Sequence, residues 1–327
     1  MSFASTPCID TLVIGGGPAG LAAAIALARS LRSVTVIDSG HQRNASAQGA
    51  HNVLGREGIA PLELLRAGHR EAESYGAQLI SGEVKSVTRV VSGTDVAFDA
   101  ILADGSTVRA RRLLLASGLV DELPDVDGLA PLWGRDVLHC PYCHGYEVRG
   151  TRIGILGTGF SAMHQTLLFR QLSPHVALID QGMPPLSDDE RAQLGALGVD
   201  LVAGRVRQLA TTTSGRLRAA EFDDGRELEL DTLVVAPRFV ARTALYESLG
   251  GDPTTTSAGV YIPTEMGGQT PLTGVWAAGN CADPMAMVGA SAAAGTQAGA
   301  MINADLAMTD ARSAVHSAAA LSSIGPQ

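Results

Sequence analysis

The sequence predicts an α/β chain built of two Rossmann-like dinucleotide-binding domains, the second inserted into the first. Three observations predict it. A glycine fingerprint, Gly15-x-Gly17-x-x-Gly20, follows a short apolar run and opens an alanine-rich stretch. A second fingerprint, Gly157-x-Gly159-x-x-Ala162, repeats that arrangement later in the chain. Two Asp-Gly turns between apolar-patterned runs mark one hairpin after each fingerprint. The expected boundaries are 1–119 for the first part of the leading domain, 120–240 for the inserted domain and 241–327 for the second part of the leading domain.

In the first unit, Thr11–Ile14 is expected as a buried strand. A helix to about Arg32 follows, then a strand at Val34–Ile37 that ends on Asp38. The chemistry explains the spacing. Gly15 makes a tight turn, Gly17 lets a pyrophosphate approach the backbone, and Gly20 lets helix and strand pack closely. The helix N-terminus faces the phosphates. Asp38 stands where a carboxylate takes the ribose hydroxyls.

The second unit reads the same way, with a strand at Ile153–Leu156, a helix to about Leu172 and a strand at Val176–Ile179 ending on Asp180. The run that follows, "QGMPPLSDDE", holds Asp188, Asp189 and Glu190 and no Lys or Arg. A phosphomonoester carries about −1.5 to −2 charges near neutral pH. This segment repels it, so NADPH is disfavoured. NADH stays open through Asp180, as does a vestigial site.

The hairpins "AILADGSTVRARRLLLASG" and "LRAAEFDDGRELELDTLVVAP" each end in a buried apolar strand, at Leu113–Ala116 and Thr232–Ala236. The chain returns through "GVWAAGN" into a small-residue helix expected at about Ala290 to Ala307. The terminal "SAVHSAAALSSIGPQ" reads as a frayed helix or tail.

Bulk composition excludes some function classes. A net charge of −9 has the wrong sign for a nucleic-acid surface. No run of about 18 apolar residues appears, so no membrane span is expected. The N-terminus has no basic segment or cleavage site before its first strand, and a cytoplasmic location is expected.

Between the fingerprints lies "HCPYCHGYE", His139 to Glu147. Read literally, Cys140-x-x-Cys143-His144 is a c-type haem attachment motif. Zinc is a second reading, but it needs four convergent ligands. His139 and His144 each neighbour a cysteine and strain a single tetrahedral site, and no second ligand pair is present. No metal is expected. A buried structural CxxC is the plainest reading. A redox disulfide fits best, because cytoplasmic cysteines are normally reduced and a CxxC there is more often catalytic. An unperturbed thiol, with a pKa of about 8.5, is largely protonated near neutral pH. An imidazole titrates near the working pH and can take that proton. His144 is the candidate base and His139 a weaker one. His164 and His175 read as exposed or capping residues, Cys8 as structural, and Cys281 as a small packed residue.

The order of these features closely resembles the low-molecular-weight thioredoxin reductases over nearly the whole chain. "LLLASG", the CxxC, both fingerprints and "GVWAAGN" carry the likeness. The resemblance implies a three-layer ββα fold and a homodimer. It implies FAD held by Gly15, Gly17, Pro18, Ala19, Gly20, Asp38, Ser39, Arg43, Asn44, His51, Asn52, Val84, Ala116, Ser117, Gly118, Gly279, Asn280, Val288 and Gly289. It also implies that Cys143 faces the flavin and Cys140 meets the substrate.

The chain departs from those reductases in three places. His144 stands where they carry an acidic residue, the basic phosphate-reading cluster is absent, and Gly279-Asn280 replaces a Gly-Asp pair. With Arg43–Asn44, His51–Gly55, "CPYCHGYE" and "APRF", these features resemble the FAD-dependent dithiol oxidases of the gliotoxin, holomycin and romidepsin pathways. That resemblance implies a small-molecule dithiol from natural product biosynthesis as substrate. It also implies oxygen as terminal acceptor, giving hydrogen peroxide. The alternatives are an NAD(P)H-dependent disulfide reductase serving a protein such as thioredoxin, and a non-catalytic flavin-binding redox sensor.

Overall fold

A computed structural model describes residues 8–92, 95–159 and 161–322. The chain forms two compact units. One holds residues up to 43, 62–120 and from 239 onward; the other holds Asn44–Pro61 and Asp121–Arg238.

The first unit is built on a seven-stranded sheet. Its centre is the strand Cys8–Ile14, in which Leu12 and Val13 are fully buried. This strand pairs in parallel with Val34–Asp38 on one side and Thr107–Leu115 on the other. Gln78–Ser81 extends the sheet beyond Val34–Asp38. The strand Thr107–Leu115 serves two partners. Its first half pairs antiparallel with Asp95–Leu102, and its last residues pair in parallel with Val275–Ala277. Buried on both faces, these inner parallel strands read as continuous apolar runs.

Two helices cover one face of the first-unit sheet. Pro18–Arg29 is rich in alanine and leucine, and its Ala23, Ala24 and Leu27 are fully buried. The helix Val288–Ser322 packs along it. A Cβ at Gly295 would collide with the Ala19 carbonyl, so glycine there sets how closely the two backbones approach.

Both helices differ in length from the sequence expectation. The first ends at Arg29, and Leu31 turns the chain with φ 61°. The second begins at Val288 and reaches Ser322, well beyond Ala307. Arg112 Nε meets Asp305 at 2.5 Å within the expected helix. Beyond Ala307, Arg112 donates to Thr309 Oγ1 at 2.9 Å, Arg32 meets Asp310 at 2.7 Å, and Arg111 also bonds Asp310. The last residues of the expected tail, 323–327, lie outside the described residues.

The second unit has a five-stranded parallel sheet in the order Asp200–Ala203, Val176–Asp180, Ile153–Gly157, Thr232–Val234, Val137–Leu138. A three-stranded antiparallel sheet, Val206–Thr211, Leu217–Phe222 and Glu227–Glu229, packs with it through a shared apolar core. The short edge strand Val137–Leu138 runs directly into Cys140, so the CxxC lies at the carboxyl end of a parallel sheet, where α/β folds build their sites. Among the described residues no helix is long and apolar enough to cross a membrane.

Candidate functional site

The first unit carries a cradle at the end of its central strand. Gly15 follows that strand at φ 109°, a conformation that L side chains rarely adopt. A Cβ there would collide with the Ala116 carbonyl, while the Gly15 amide donates to Ile37 O at 2.8 Å. Gly20 sits against the Gly15 carbonyl just as tightly. Gly17 differs. It caps the helix at φ −74°, no side chain caps that end, and a Cβ on it would meet nothing within 4 Å. Pro18 and Ala19 start the helix, and Pro at its start forfeits only an amide that has no partner inside the helix. The helix end at Gly17 thus faces open space, with no side-chain cap among the described residues.

Asp38 stands at the end of the neighbouring strand and accepts from Gln42 Nε2 at 2.9 Å. A Cβ at Gly16 would lie 2.8 Å from Asp38 Cβ, so that loop passes close beside the carboxylate. Ser39 lies next, 3.3 Å from His41 Nδ1. Open glycine backbone, an uncapped helix N-terminus and an adjacent carboxylate fit the pyrophosphate and ribose of FAD.

The other cradle residues come from two further segments of the same unit. Val84 opens the hairpin strand Val84–Ser92. The turn after Ala116 is locked by Ser117 Oγ donating to Arg242 O at 2.9 Å and by the Arg242 amide donating to Gly118 O at 3.0 Å. Gly279, at φ 75°, lies against Ala19, where a Cβ would come within 2.9 Å. Asn280 gathers its own turn, its amide donating to Asp283 O, Pro284 O and Ala286 O at 2.9–3.3 Å. That turn leads into the helix beginning at Val288 and Gly289. Arg43 places its guanidinium over the Phe239 ring at 5.2 Å and donates to Asn280 Oδ1 at 3.4 Å. Cys281 is fully buried, its thiol donating to Leu115 O at 3.2 Å, and burial pushes that thiol up. This environment is that of a packed core residue.

Asn44, His51 and Asn52 were read from the sequence with this cradle. Their contacts group them with the second unit, where His51 and Asn52 lie beside the CxxC.

The CxxC forms the start of a one-turn helix, Pro141–His144, with Cys140 extended at its N-cap. Cys143 and His144 amides both donate to the Cys140 carbonyl at 3.3 Å, which holds the two thiol-bearing residues in one turn. Gly145 closes the turn, since a Cβ there would collide with the Pro141 carbonyl and the Leu172 side chain. His139 is tied back to the sheet. Its Nδ1 donates to Val235 O at 3.1 Å, and Gln165 donates to the His139 carbonyl at 3.3 Å. His144 is different. Its Nε2 is buried with no hydrogen-bond partner among the described residues. Burial pushes its imidazole below the ordinary 6.5, a charge on His51 pushes the same way, and Glu147 pushes back.

Sequence reading missed the carboxylates around this turn. His51 Nδ1 donates to Glu57 Oε1 at 2.7 Å, and its Nε2 lies 3.6 Å from Glu147 Oε1. The Asn52 amide donates to Glu57 Oε2 at 2.8 Å, and its side chain donates to Tyr142 O at 2.6 Å. The hydrogen bond from His51 holds the Glu57 carboxyl below its ordinary value. Glu147 could have been noticed three residues beyond His144. Nothing in "HNVLGREG" alone points to the CxxC.

The second fingerprint is less open than the first. A Cβ at Gly157 would lie 2.6 Å from Met183 Sδ, although Gly159 faces open space. Asp180 accepts from the Gly182 amide at 3.1 Å. The acidic run beyond it starts a helix through a capping box. Ser187 Oγ accepts from the Glu190 amide at 3.2 Å, and Glu190 accepts from the Ser187 amide at 2.7 Å.

Comparison with known proteins agrees with this architecture. The family model for pyridine nucleotide-disulphide oxidoreductase matches residues 9–299. Thioredoxin reductase sirT of Leptosphaeria maculans is 31% identical over 92% of this chain and 95% of its own. Thioredoxin reductase tcpT of Claviceps purpurea is 34% identical over 74% and 77%. Among solved structures, HlmI superposes with TM-score 0.89 at 41% identity, covering 96% of this chain and 97% of its own. An oxidoreductase from Agrobacterium tumefaciens gives 0.85 at 31%, covering 92% and 99%. A FAD-type cradle, a CxxC at a sheet end and likeness to thioredoxin reductases along most of the chain lead to one conclusion: this chain belongs to the pyridine nucleotide-disulphide oxidoreductase family and is a thioredoxin-reductase-like flavoenzyme whose cofactor is FAD.

Proposed function

We propose that the chain is a dithiol oxidase, closing an intramolecular disulfide in a small natural-product dithiol through Cys140 and Cys143. The observation that carries this reading is His144, one residue beyond the second cysteine, with a buried ring nitrogen that has no hydrogen-bond partner among the described residues. Leaving a buried polar atom unpaired costs about 1–3 kcal/mol. In its unprotonated form such a nitrogen can accept a proton from a thiol.

The steps follow from thiol–disulfide exchange. A substrate thiolate attacks Cys140 Sγ in the oxidised pair. The bond between Cys140 and Cys143 breaks, and Cys143 leaves as a thiolate. His144 then takes the proton from the second substrate thiol. That sulfur attacks the substrate sulfur of the mixed disulfide, closing the product disulfide and releasing Cys140 as a thiolate. Bound FAD, held by the residues from Gly15 to Asp38 and by the 279–289 segment, supplies the two-electron chemistry that returns the pair to its disulfide. Oxygen is the terminal acceptor in this reading, and hydrogen peroxide the product. The working form is a homodimer.

Cofactor choice supports this direction. The acidic run after Asp180 offers a 2′-phosphate no cation, and Met183 lies against the loop at Gly157. The test is anaerobic flavin reduction with dithiothreitol, NADH and NADPH compared as donors. Rapid bleaching by dithiothreitol and poor bleaching by NADPH are expected. Stoichiometric bleaching by NADPH, with no response to the dithiol, overturns the reading in favour of a reductase.

A further inference from the structure

Two helices of the first unit begin side by side, and Gly279 lies between their first turns. A Cβ on Gly279 would come within 2.9 Å of Ala19 Cβ and 3.8 Å of Ser291. Further along the helix Val288–Ser322, Gly295 sits against the Ala19 carbonyl. The start of that helix is therefore brought to the same cradle as the start of Pro18–Arg29. Its exact place is set by the turn that runs from Gly279 to Met287.

One side chain is the hub of that turn. The Asn280 amide nitrogen donates to Asp283 O at 3.1 Å, Pro284 O at 3.3 Å and Ala286 O at 2.9 Å. Backbone bonds close the same turn. The Ala282 and Asp283 amides each donate to Gly279 O at 2.9 Å, and the Ala286 amide donates to Asp283 O at 3.1 Å. The helix then takes over, with the Ser291 amide donating to Met287 O at 2.8 Å. A primary amide has two hydrogens. Three carbonyls share them here, so the amide is spent on the turn.

We propose that Asn280 is a positioning residue for FAD, whose uncharged amide closes the 280–286 turn and so places the first turn of the helix Val288–Ser322 against the cofactor. This role is the same whichever donor reduces the flavin, so it stands apart from the dithiol reading.

The absence of charge on this side chain matters. A helix N-terminus carries roughly half a positive charge and favours an anion such as a pyrophosphate. An ionised carboxylate at position 280 has no hydrogen to give. It would face three carbonyl oxygens, open the turn and set a negative charge beside the helix end. Charged groups already stand nearby. Arg43 donates to Asn280 Oδ1 at 3.4 Å. Asp283 is exposed, and its Oδ1 accepts from the Met285 amide at 3.0 Å. Glu265 lines the cavity that Gly279 and Asp283 also line.

The test compares Asn280→Ala and Asn280→Asp with the parent, each freed of FAD and then titrated with it. Amide hydrogen exchange across 281–287 in the FAD-free protein should accelerate in both variants. The FAD dissociation constant should rise roughly two- to fivefold in Asn280→Ala, the worth of one charge at a helix end. It should rise further in Asn280→Asp. Added salt should narrow the gap between the variants, because it screens the new charge and does not restore the lost bonds. Parent-like exchange in both variants overturns the closure of the turn by Asn280. Faster exchange with parent-like FAD affinity makes the residue structural alone and overturns the proposal. Equal affinity in the two variants at low salt overturns the need for an uncharged side chain. If thermal unfolding shows that Asn280→Asp does not fold, exchange and affinity in Asn280→Ala decide. Dithiothreitol oxidation by the parent is read separately: its failure sinks the oxidase reading and leaves the role of Asn280 untouched.

Discussion

Asn52 donates its side-chain amide to the carbonyl oxygen of Tyr142 at 2.6 Å, joining the 44–61 segment to the residue between the two CxxC cysteines. Residues 90 positions apart in the chain are joined by that bond. It carries His51 and Glu57 to the thiol turn, so loosening it should loosen them.

Two substitutions separate the bond from the backbone conformation. Asn52→Gly keeps φ 59° accessible and removes the bond, which is worth about 0.5–1.5 kcal/mol. Asn52→Ala removes the bond and adds about 1–2 kcal/mol for a left-handed residue bearing a Cβ. Amide hydrogen exchange across 44–61 should accelerate in both, and more in Asn52→Ala. Equal exchange in the two variants and the parent would mean that the bond does not hold the segment.

The cysteines should behave as one unit. Cys140→Ser and Cys143→Ser should each keep FAD and each abolish dithiol oxidation, and the double variant should be no worse, because one exchange cycle needs both sulfurs. Cys143→Ser should accumulate a mixed disulfide with substrate on Cys140, read by mass spectrometry of the intact protein. Full activity in either variant would place the redox centre elsewhere.

What could be read from the sequence was local. The fingerprint at Gly15, Gly17 and Gly20 is a set of short-range steric demands between one strand, one turn and one helix, and those contacts are present. The Asp104-Gly105 hairpin is equally local: Leu102 and Ser106 close it through backbone bonding. Long-range contacts were not legible. Past Ala307 the terminal helix is held by residues from far earlier in the chain, Arg112 at Thr309 and Arg32 and Arg111 at Asp310. The carboxylates Glu57 and Glu147 acquire meaning only when His51 stands between them. The acidic run at Asp188–Glu190 was read for its charge alone. Its capping box with Ser187 is a further local reason for those residues.

His144→Ala should slow dithiol oxidation by roughly 10²–10⁴-fold, the range for one general acid–base group. The deficit should shrink as pH rises past the ordinary thiol value, where hydroxide replaces the base. The sign at low pH follows from burial. His144 lies below its ordinary 6.5, so its neutral form survives further into acid than a solvated imidazole would. The parent enzyme should therefore keep its rate as pH falls through the ordinary histidine value and lose it only below. A pH–rate profile of parent and variant checks both limbs. A deficit that does not change with pH would exclude proton transfer as the role of His144.

The two leading glycines of the cradle should fail in different ways. At Gly15 the φ of 109° and the Ala116 carbonyl both oppose a side chain, so Gly15→Ala strains the sheet and turn themselves. It should lower stability with or without FAD. At Gly17 the backbone is ordinary and a Cβ meets nothing within 4 Å. Gly17→Ala should therefore fold normally, at a cost of no more than about 1 kcal/mol for a poorer helix cap. Its Cβ would occupy the space in front of the helix end that the pyrophosphate needs. The variant should thus be isolated with much less FAD, and added FAD should bind weakly. Flavin content and thermal unfolding, measured together on both variants, give the answer. Normal FAD content in Gly17→Ala would show that the pyrophosphate does not lie against this residue, even if Gly15→Ala is unstable as expected.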